Sequence, residues 1–120
     1  LDYLAKGGRL SGGAAAIGNL AKVKPVISLD EEGHVFQASK QLGIRHACKY
    51  ISKQVMAEDI DEKAPLYFIY SKDTKNVNSL IHTMEKDGFP IENPKVRGIG
   101  PIIGTHIGPC AFGIVYVVKS

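Results

Sequence analysis

The sequence predicts an α/β (α+β) domain in two layers, with a mixed β-sheet of about five to six strands and helices mainly on one face. Three observations carry that prediction. Short β-branched and aromatic runs alternate with segments of helical apolar spacing from residue 44 onward. Two strand-like runs, Val23–Leu29 and His34–Ala38, flank the turn-rich Asp30-Glu31-Glu32-Gly33, which makes a hairpin and therefore a mixed sheet. The chain has 120 residues, 44% of them hydrophobic, which suits one domain with its own core.

Taken in order, Leu1–Lys6 reads as the last turns of a helix, ended by Gly7-Gly8. It has no capping residue ahead of it, so the chain is expected to be a piece of a longer protein. Ser11 is placed to cap a second helix to about Leu20, with Ala14, Ala15 and Ala16 on a small-residue face. Val23–Leu29 is a strand, and Pro25 within it points to an edge or an irregular start. Ile44 to about Glu58 is an amphipathic helix, with Ile44, Ala47, Cys48, Ile51 and Val55 on one side. Pro65 opens the strand Leu66–Tyr70. Asp73 or Thr74 then caps a helix whose apolar positions are Val77, Leu80, Ile81 and Met84, with Gly88 after its end. Lys95–Ile99 and Ile114–Val118 are the last strands, separated by a loop rich in glycine and proline.

Composition removes several function classes. Net charge is +3 from 15 basic and 12 acidic residues, and the charges are dispersed. No basic cluster interleaved with aromatics appears, so nucleic acid is not an expected partner. No apolar run is long enough to span a membrane, and Leu1–Leu10 lacks the basic leader and apolar stretch of a signal peptide. Two cysteines, Cys48 and Cys110, do not make a disulfide framework, which suggests a reduced, cytoplasmic setting. His34, His46, His82 and His106 are far apart without metal-ligand spacing, so no metal site and no cofactor is expected.

Two segments could carry chemistry. Gly98 to Gly113 holds five glycines and two prolines, together with Thr105, His106 and Cys110. Such a stretch exposes backbone N–H groups to a ligand, or simply makes tight turns between strands. It lacks the lysine of a nucleotide-triphosphate loop and the third glycine of a dinucleotide fingerprint. His106 and Cys110 also leave open a small thiol enzyme, such as a transferase or hydrolase. The second segment is Gly7-Gly8-Arg9, where an arginine before a helix start could hold a carboxylate, or be an ordinary surface charge. A regulatory or protein-interaction domain is the third reading.

Three stretches together carry a resemblance. Leu1-Asp2-Tyr3-Leu4-Ala5-Lys6-Gly7-Gly8-Arg9-Leu10, the pair Ile17–Leu20 and Val23–Ile27, and Gly100-Pro101-Ile102-Ile103-Gly104-Thr105-His106-Ile107-Gly108-Pro109 resemble signatures of the DegV family, in family order. The resemblance implies that residues 1–120 are the C-terminal, lid domain of a bacterial fatty-acid-binding protein, whose N-terminal α/β domain is absent here. A long-chain fatty acid would lie between the two domains and be presented to a fatty acid kinase subunit that makes an acyl phosphate for phospholipid synthesis. The chain itself would not be an enzyme. Arg9, His106 and Thr105 would meet the carboxylate. Gly8, Ile102, Ile103, Gly104, Cys110 and Phe112 would line the loop and tunnel. Two departures stand out. Cys110 occupies a position where the family usually has glycine, which bears on acyl preference. Residues 40–47 are less basic than the usual family stretch, which bears on kinase docking. The implied ligand makes physical sense: each buried methylene contributes about 0.8 kcal/mol, and the buried carboxylate needs polar partners.

Overall fold

A computed structural model of the chain describes residues 12–16, 23–30, 32–61, 63–91, 93–99 and 111–119. Its strands are β1 (Gly12–Ala16), β2 (Val23–Leu29), β3 (Val35–Leu42), β4 (Tyr67–Tyr70), β5 (Lys95–Gly98) and β6 (Phe112–Tyr116). Its helices are α1 (Gly43–Met56) and α2 (Lys75–Lys86). The six strands form one sheet in the order β3-β2-β1-β6-β4-β5. All neighbours are antiparallel except β4 and β5, which run parallel across the α2 crossover. The expected mixed sheet is therefore present.

The β2–β3 hairpin forms where the sequence placed it. The Asp30 carboxylate accepts backbone N–H bonds from Glu32 at 2.9 Å and His34 at 2.8 Å. Those bonds hold its pKa below the ordinary value, with the His34 backbone bond the largest cause. Pairing extends to Leu42, four residues past the expected end, and skips register between Val26 and Ile27. Pro25 lies in an internal strand, but at its start: β1 pairs as far as Val26, so among the described residues Pro25 has just β3 beside it.

The two helices cover one face. Ala47, Cys48, Ile51 and Val55 of α1 and Val77, Leu80 and Met84 of α2 join Val26, Phe68, Phe112, Ile114 and Tyr116 of the sheet in one buried core. The spacing on each helix is the one the sequence shows. A polar link also ties the helices: Asp87, capping the end of α2, accepts from Ser52 at 2.8 Å and from Lys49.

One expectation is overturned. Gly12–Ala16 forms strand β1, not part of a helix from Ser11 to Leu20. Alanine favours helix in isolation, but β1 is paired along both sides, with β2 through residues 14–16 and with β6 through all five. Ladder formation with two neighbours outweighs a propensity difference of a few tenths of a kcal/mol per residue. The helix expected at Leu1–Lys6 lies outside the described residues. The last strand also starts earlier than expected, at Phe112 and not at Ile114.

Candidate functional site

The glycine-rich segment is mounted on the C-terminal end of β4. Both strand ladders of β4 stop at Tyr70, opposite Gly98 of β5 and Phe112 of β6. Beyond them, Ile99 donates its N–H to the Tyr70 carbonyl at 2.7 Å. Ser71 donates its N–H to the Ala111 carbonyl at 2.9 Å, and its hydroxyl accepts the Ala111 N–H at 2.9 Å. Consecutive residues thus hold the chain on either side of residues 100–110. Gly98 permits this closeness, since a β-carbon there would meet the Tyr70 ring at 3.3 Å.

The turn that follows leads directly into α2. Asp73 donates its N–H to the Ser71 carbonyl, and the Asp73 carboxylate accepts the Lys75 N–H at 3.0 Å. Asp73 therefore serves the first turn of α2, whereas Thr74, the cap by position, makes no side-chain cap bond. Lys72, between Ser71 and Asp73, adopts φ 73°, a left-handed conformation that ordinary side chains seldom take.

Of the residues expected at the ligand, Gly8, Arg9, Ile102, Ile103, Gly104, Thr105, His106 and Cys110 lie outside the described residues. The expectation that Arg9 and His106 meet one carboxylate therefore also lies outside the described residues. Phe112 is described, and it is fully buried in the core on the helix-covered face. The β1–β6 ladder fixes where the two segments attach. Gly12 pairs with Tyr116 and Ala16 with Phe112. The segment carrying Gly8 and Arg9 joins β1 at one end of this ladder, and the segment carrying His106 joins β6 at the other.

The sheet face away from the helices has its own apolar character. Ile69 is 7% exposed and Val115 1%, although neither belongs to the helix-side core. Among the described residues, no helix lies on that face. At its β5 edge, Lys95 and Arg97 both approach the Tyr67 ring, at 5.6 and 5.7 Å from its centre. The opposite end of the β4–β6 unit holds an open groove of about 840 Å³, lined by Met56, Ile60, Leu66, Phe89, Glu58 and Lys119 among others.

Among the described residues, groups suited to catalysis are sparse. Cys48 is buried, and burial raises its thiol pKa to about 12, so it stays protonated at neutral pH. His34 faces Asp30 and Glu32, His46 meets the Leu42 carbonyl, and His82 is exposed on α2. Among the described residues, no three His, Cys, Asp or Glu side chains gather to hold a metal. No described helix is long and apolar enough to cross a membrane. Sequence reasoning passed over Ser71 and Tyr70; the available signal was a serine set between an apolar strand and a helix start.

A two-layer domain of this topology, with a glycine-rich segment mounted beside its one parallel strand pair, defines a fold class shared with known proteins. The family model described as the DegV family matches residues 1–119, and the chain belongs to that family. It is 35% identical to a DegV domain-containing protein of Clostridium acetobutylicum, over 100% of this chain and 41% of that protein. Its fold is similar to that of a fatty-acid-binding DegV family protein from Thermus thermophilus, with a TM-score of 0.66 and 29% identity, over 98% of this chain and 42% of that one. It is also similar to the Streptococcus pneumoniae fatty acid kinase B3 protein, solved loaded with linoleic acid, with a TM-score of 0.72 at 11% identity, over 98% of this chain and 48% of that one. The chain thus spans about two-fifths of the length of the curated relatives it matches.

Proposed function

We propose that this chain is the C-terminal, lid domain of a bacterial fatty-acid carrier and binds a long-chain fatty acid together with a second, N-terminal domain. The observation that carries the reading is the family match over residues 1–119, at two-fifths of the relatives' length. The carrier presents the acid to a fatty acid kinase for acyl-phosphate formation, and this chain contributes binding and not catalysis. The kinase link is supported by the likeness to the pneumococcal fatty acid kinase B3 protein. The setting is cytoplasmic, where such a kinase would find its nucleotide.

Arg9, His106 and Thr105 hold the carboxylate in this proposal. The ladder geometry permits Arg9 and His106 to meet. Gly12 and Ala16 lie about 14 Å apart along β1. Three residues from Arg9 to Gly12 reach up to about 10 Å, and six from His106 to Phe112 up to about 20 Å. Gly8, Ile102, Ile103, Gly104 and Cys110 line the loop and tunnel around the acid. Phe112 contributes from beneath, as the buried residue that anchors the start of β6.

Titration of a fluorescent fatty acid into this chain and into the full-length protein, in one buffer, tests the reading. The full-length protein is expected to bind, and this chain alone to bind weakly or not at all, because part of the apolar wall is missing. Equal affinity would overturn the two-domain site. No binding by the full-length protein would overturn the fatty-acid reading itself.

A further inference from the structure

We propose that the β5 edge of the sheet is a docking strip for an extended protein segment with acidic side chains at alternate positions. The inference stands apart from the fatty-acid reading. It rests on the backbone and the charges of β5 itself.

β5 ends one side of the sheet, and among the described residues no strand lies beyond it. Alternate residues of a strand turn their backbone groups to opposite sides. Ile99 donates its N–H to the Tyr70 carbonyl at 2.7 Å, which puts the backbone groups of Lys95 and Arg97 on the β4 side as well. Val96 and Gly98 therefore turn theirs outward, as a short row able to pair with another chain. The Val96 carbonyl is met by the Arg97 guanidinium, which donates to it at 3.0 Å.

The charges sit beside that row. Phe68 and Val96 pack into the helix-side core, so strand alternation puts Tyr67, Lys95 and Arg97 on the other face. Lys95 and Arg97 are exposed, 5.6 and 5.7 Å from the centre of the Tyr67 ring. Among the described residues, neither forms an ion pair with a carboxylate. Two like charges held over a ring, with no acid beside them, are complemented by an acidic neighbour. Side chains on one face of a strand recur roughly every 6.6 Å, so carboxylates two residues apart on an added strand meet both cations in register. Arg97 then exchanges the Val96 carbonyl for a carboxylate, and that carbonyl accepts from the added strand.

The alternatives fit less well. The other edge, β3, has a single lysine, Lys40, and a register shift opposite Val26 and Ile27, a feature that blunts edge pairing. An anionic bilayer is met by clusters of about four or more cations, and it supplies no strand for the outer backbone groups.

The test uses the full-length protein and fluorescent peptides of alternating valine and glutamate, or valine and glutamine, read by anisotropy. The glutamate peptide is expected to bind about tenfold more tightly than the glutamine one, and to weaken as salt rises. Lys95→Glu with Arg97→Glu is expected to reverse the choice, toward a valine–lysine peptide. Should that variant not fold, Lys95→Gln with Arg97→Gln is expected to erase the choice. Methylating the backbone nitrogens of the glutamate peptide is expected to abolish binding, because strand addition needs them as donors. Equal binding of the glutamate and glutamine peptides, binding of neither, or a choice unchanged by the substitutions overturns the docking strip. Undiminished binding of the methylated peptide overturns strand addition. Binding to phosphatidylserine vesicles through Lys95 and Arg97, with no peptide binding, overturns the proposal in favour of a membrane surface.

Discussion

Strand β6 is buried along its whole length, on both faces of the sheet, while β3 at the sheet's edge is exposed over most of its own. In β3, Val35 is 53% exposed, Phe36 47% and Leu42 65%, and Val23, paired with Leu42, is 43% exposed. These exposed apolar side chains lie at both ends of the hairpin, and the adjacent Val35 and Phe36 point to opposite faces. The residue types differ too: β3 carries Gln37, Ser39, Lys40 and Gln41, whereas β6 has no polar side chain apart from the Tyr116 hydroxyl. Position goes with composition: β6 has strand neighbours on both sides and helices above, whereas β3, among the described residues, has one strand neighbour and lies at the sheet's edge. The glycine-rich segment is attached to the buried region. A segment attached there starts from well-packed ground, which the exposed edge does not offer.

The largest effect expected from this contrast is on stability. Phe68 is fully buried in β4, beside β6. Phe68→Ala should cost about 3–5 kcal/mol. Phe36→Ala, in half-exposed β3, should cost about 1 kcal/mol or less. Urea unfolding of both variants measures the difference. Comparable losses would mean that the two regions are not unequal in the way the burial suggests.

A smaller effect is expected where the exposed region joins the helices. Gly43 begins α1 directly after β3, with φ 81° and nothing near its missing side chain. Gly43→Ala should therefore cost only the left-handed backbone penalty, about 1–2 kcal/mol. A much larger loss would show that the strand-to-helix junction carries packing as well as a turn. Smaller still is Gly98→Ala, at the base of the glycine-rich segment. The new methyl group would press the Tyr70 ring at 3.3 Å, and the ring must yield by a few tenths of an ångström. Because Tyr70 is only partly buried, the cost should be about 1 kcal/mol or less. Thermal melts of both variants rank them.

Much of this architecture is legible in the sequence because local signals and tertiary context agree. The α1 and α2 stripes at Ala47–Val55 and Val77–Met84 are the faces that pack. The Asp30 hairpin forms from its own side chain. Gly12–Ala16 was not legible as a strand, because its identity comes from β2 and β6, which are distant in sequence. Ser71 was hidden for a related reason. Its bonds join it to Ala111, forty positions away, next to a turn at Lys72 that no propensity announces. The family motifs in the glycine-rich segment were plain as residue strings, whereas the bonds that flank it follow from the β4 ladders and the Ser71 side chain.

The last and smallest effect concerns acid. Asp87 closes α2 and receives hydrogen bonds from Lys49 and Ser52 of α1, and Ser52 is fully buried. These bonds, Lys49 first and Ser52 second, lower its pKa from the ordinary 3.8. The folded value therefore lies below the unfolded one. Such a group contributes stability that is fully present above the unfolded pKa and is lost as pH falls through the folded pKa. The helix pair should keep this contribution at neutral pH and lose it below about pH 4. Asp87→Asn removes the titration and should flatten that part of the acid limb. Asp30, also lowered but in the exposed hairpin, supplies the control. Asp30→Asn should remove a separate part of the same limb and leave the Asp87 part intact, because the two carboxylates share no partner. Urea midpoints measured from pH 6 to pH 2.5 for wild type, both single variants and the double variant resolve the two shares. An acid limb unchanged by Asp87→Asn would mean that the α1–α2 link contributes nothing that titrates. An additive double variant would mean that the buried and exposed regions respond to acid independently.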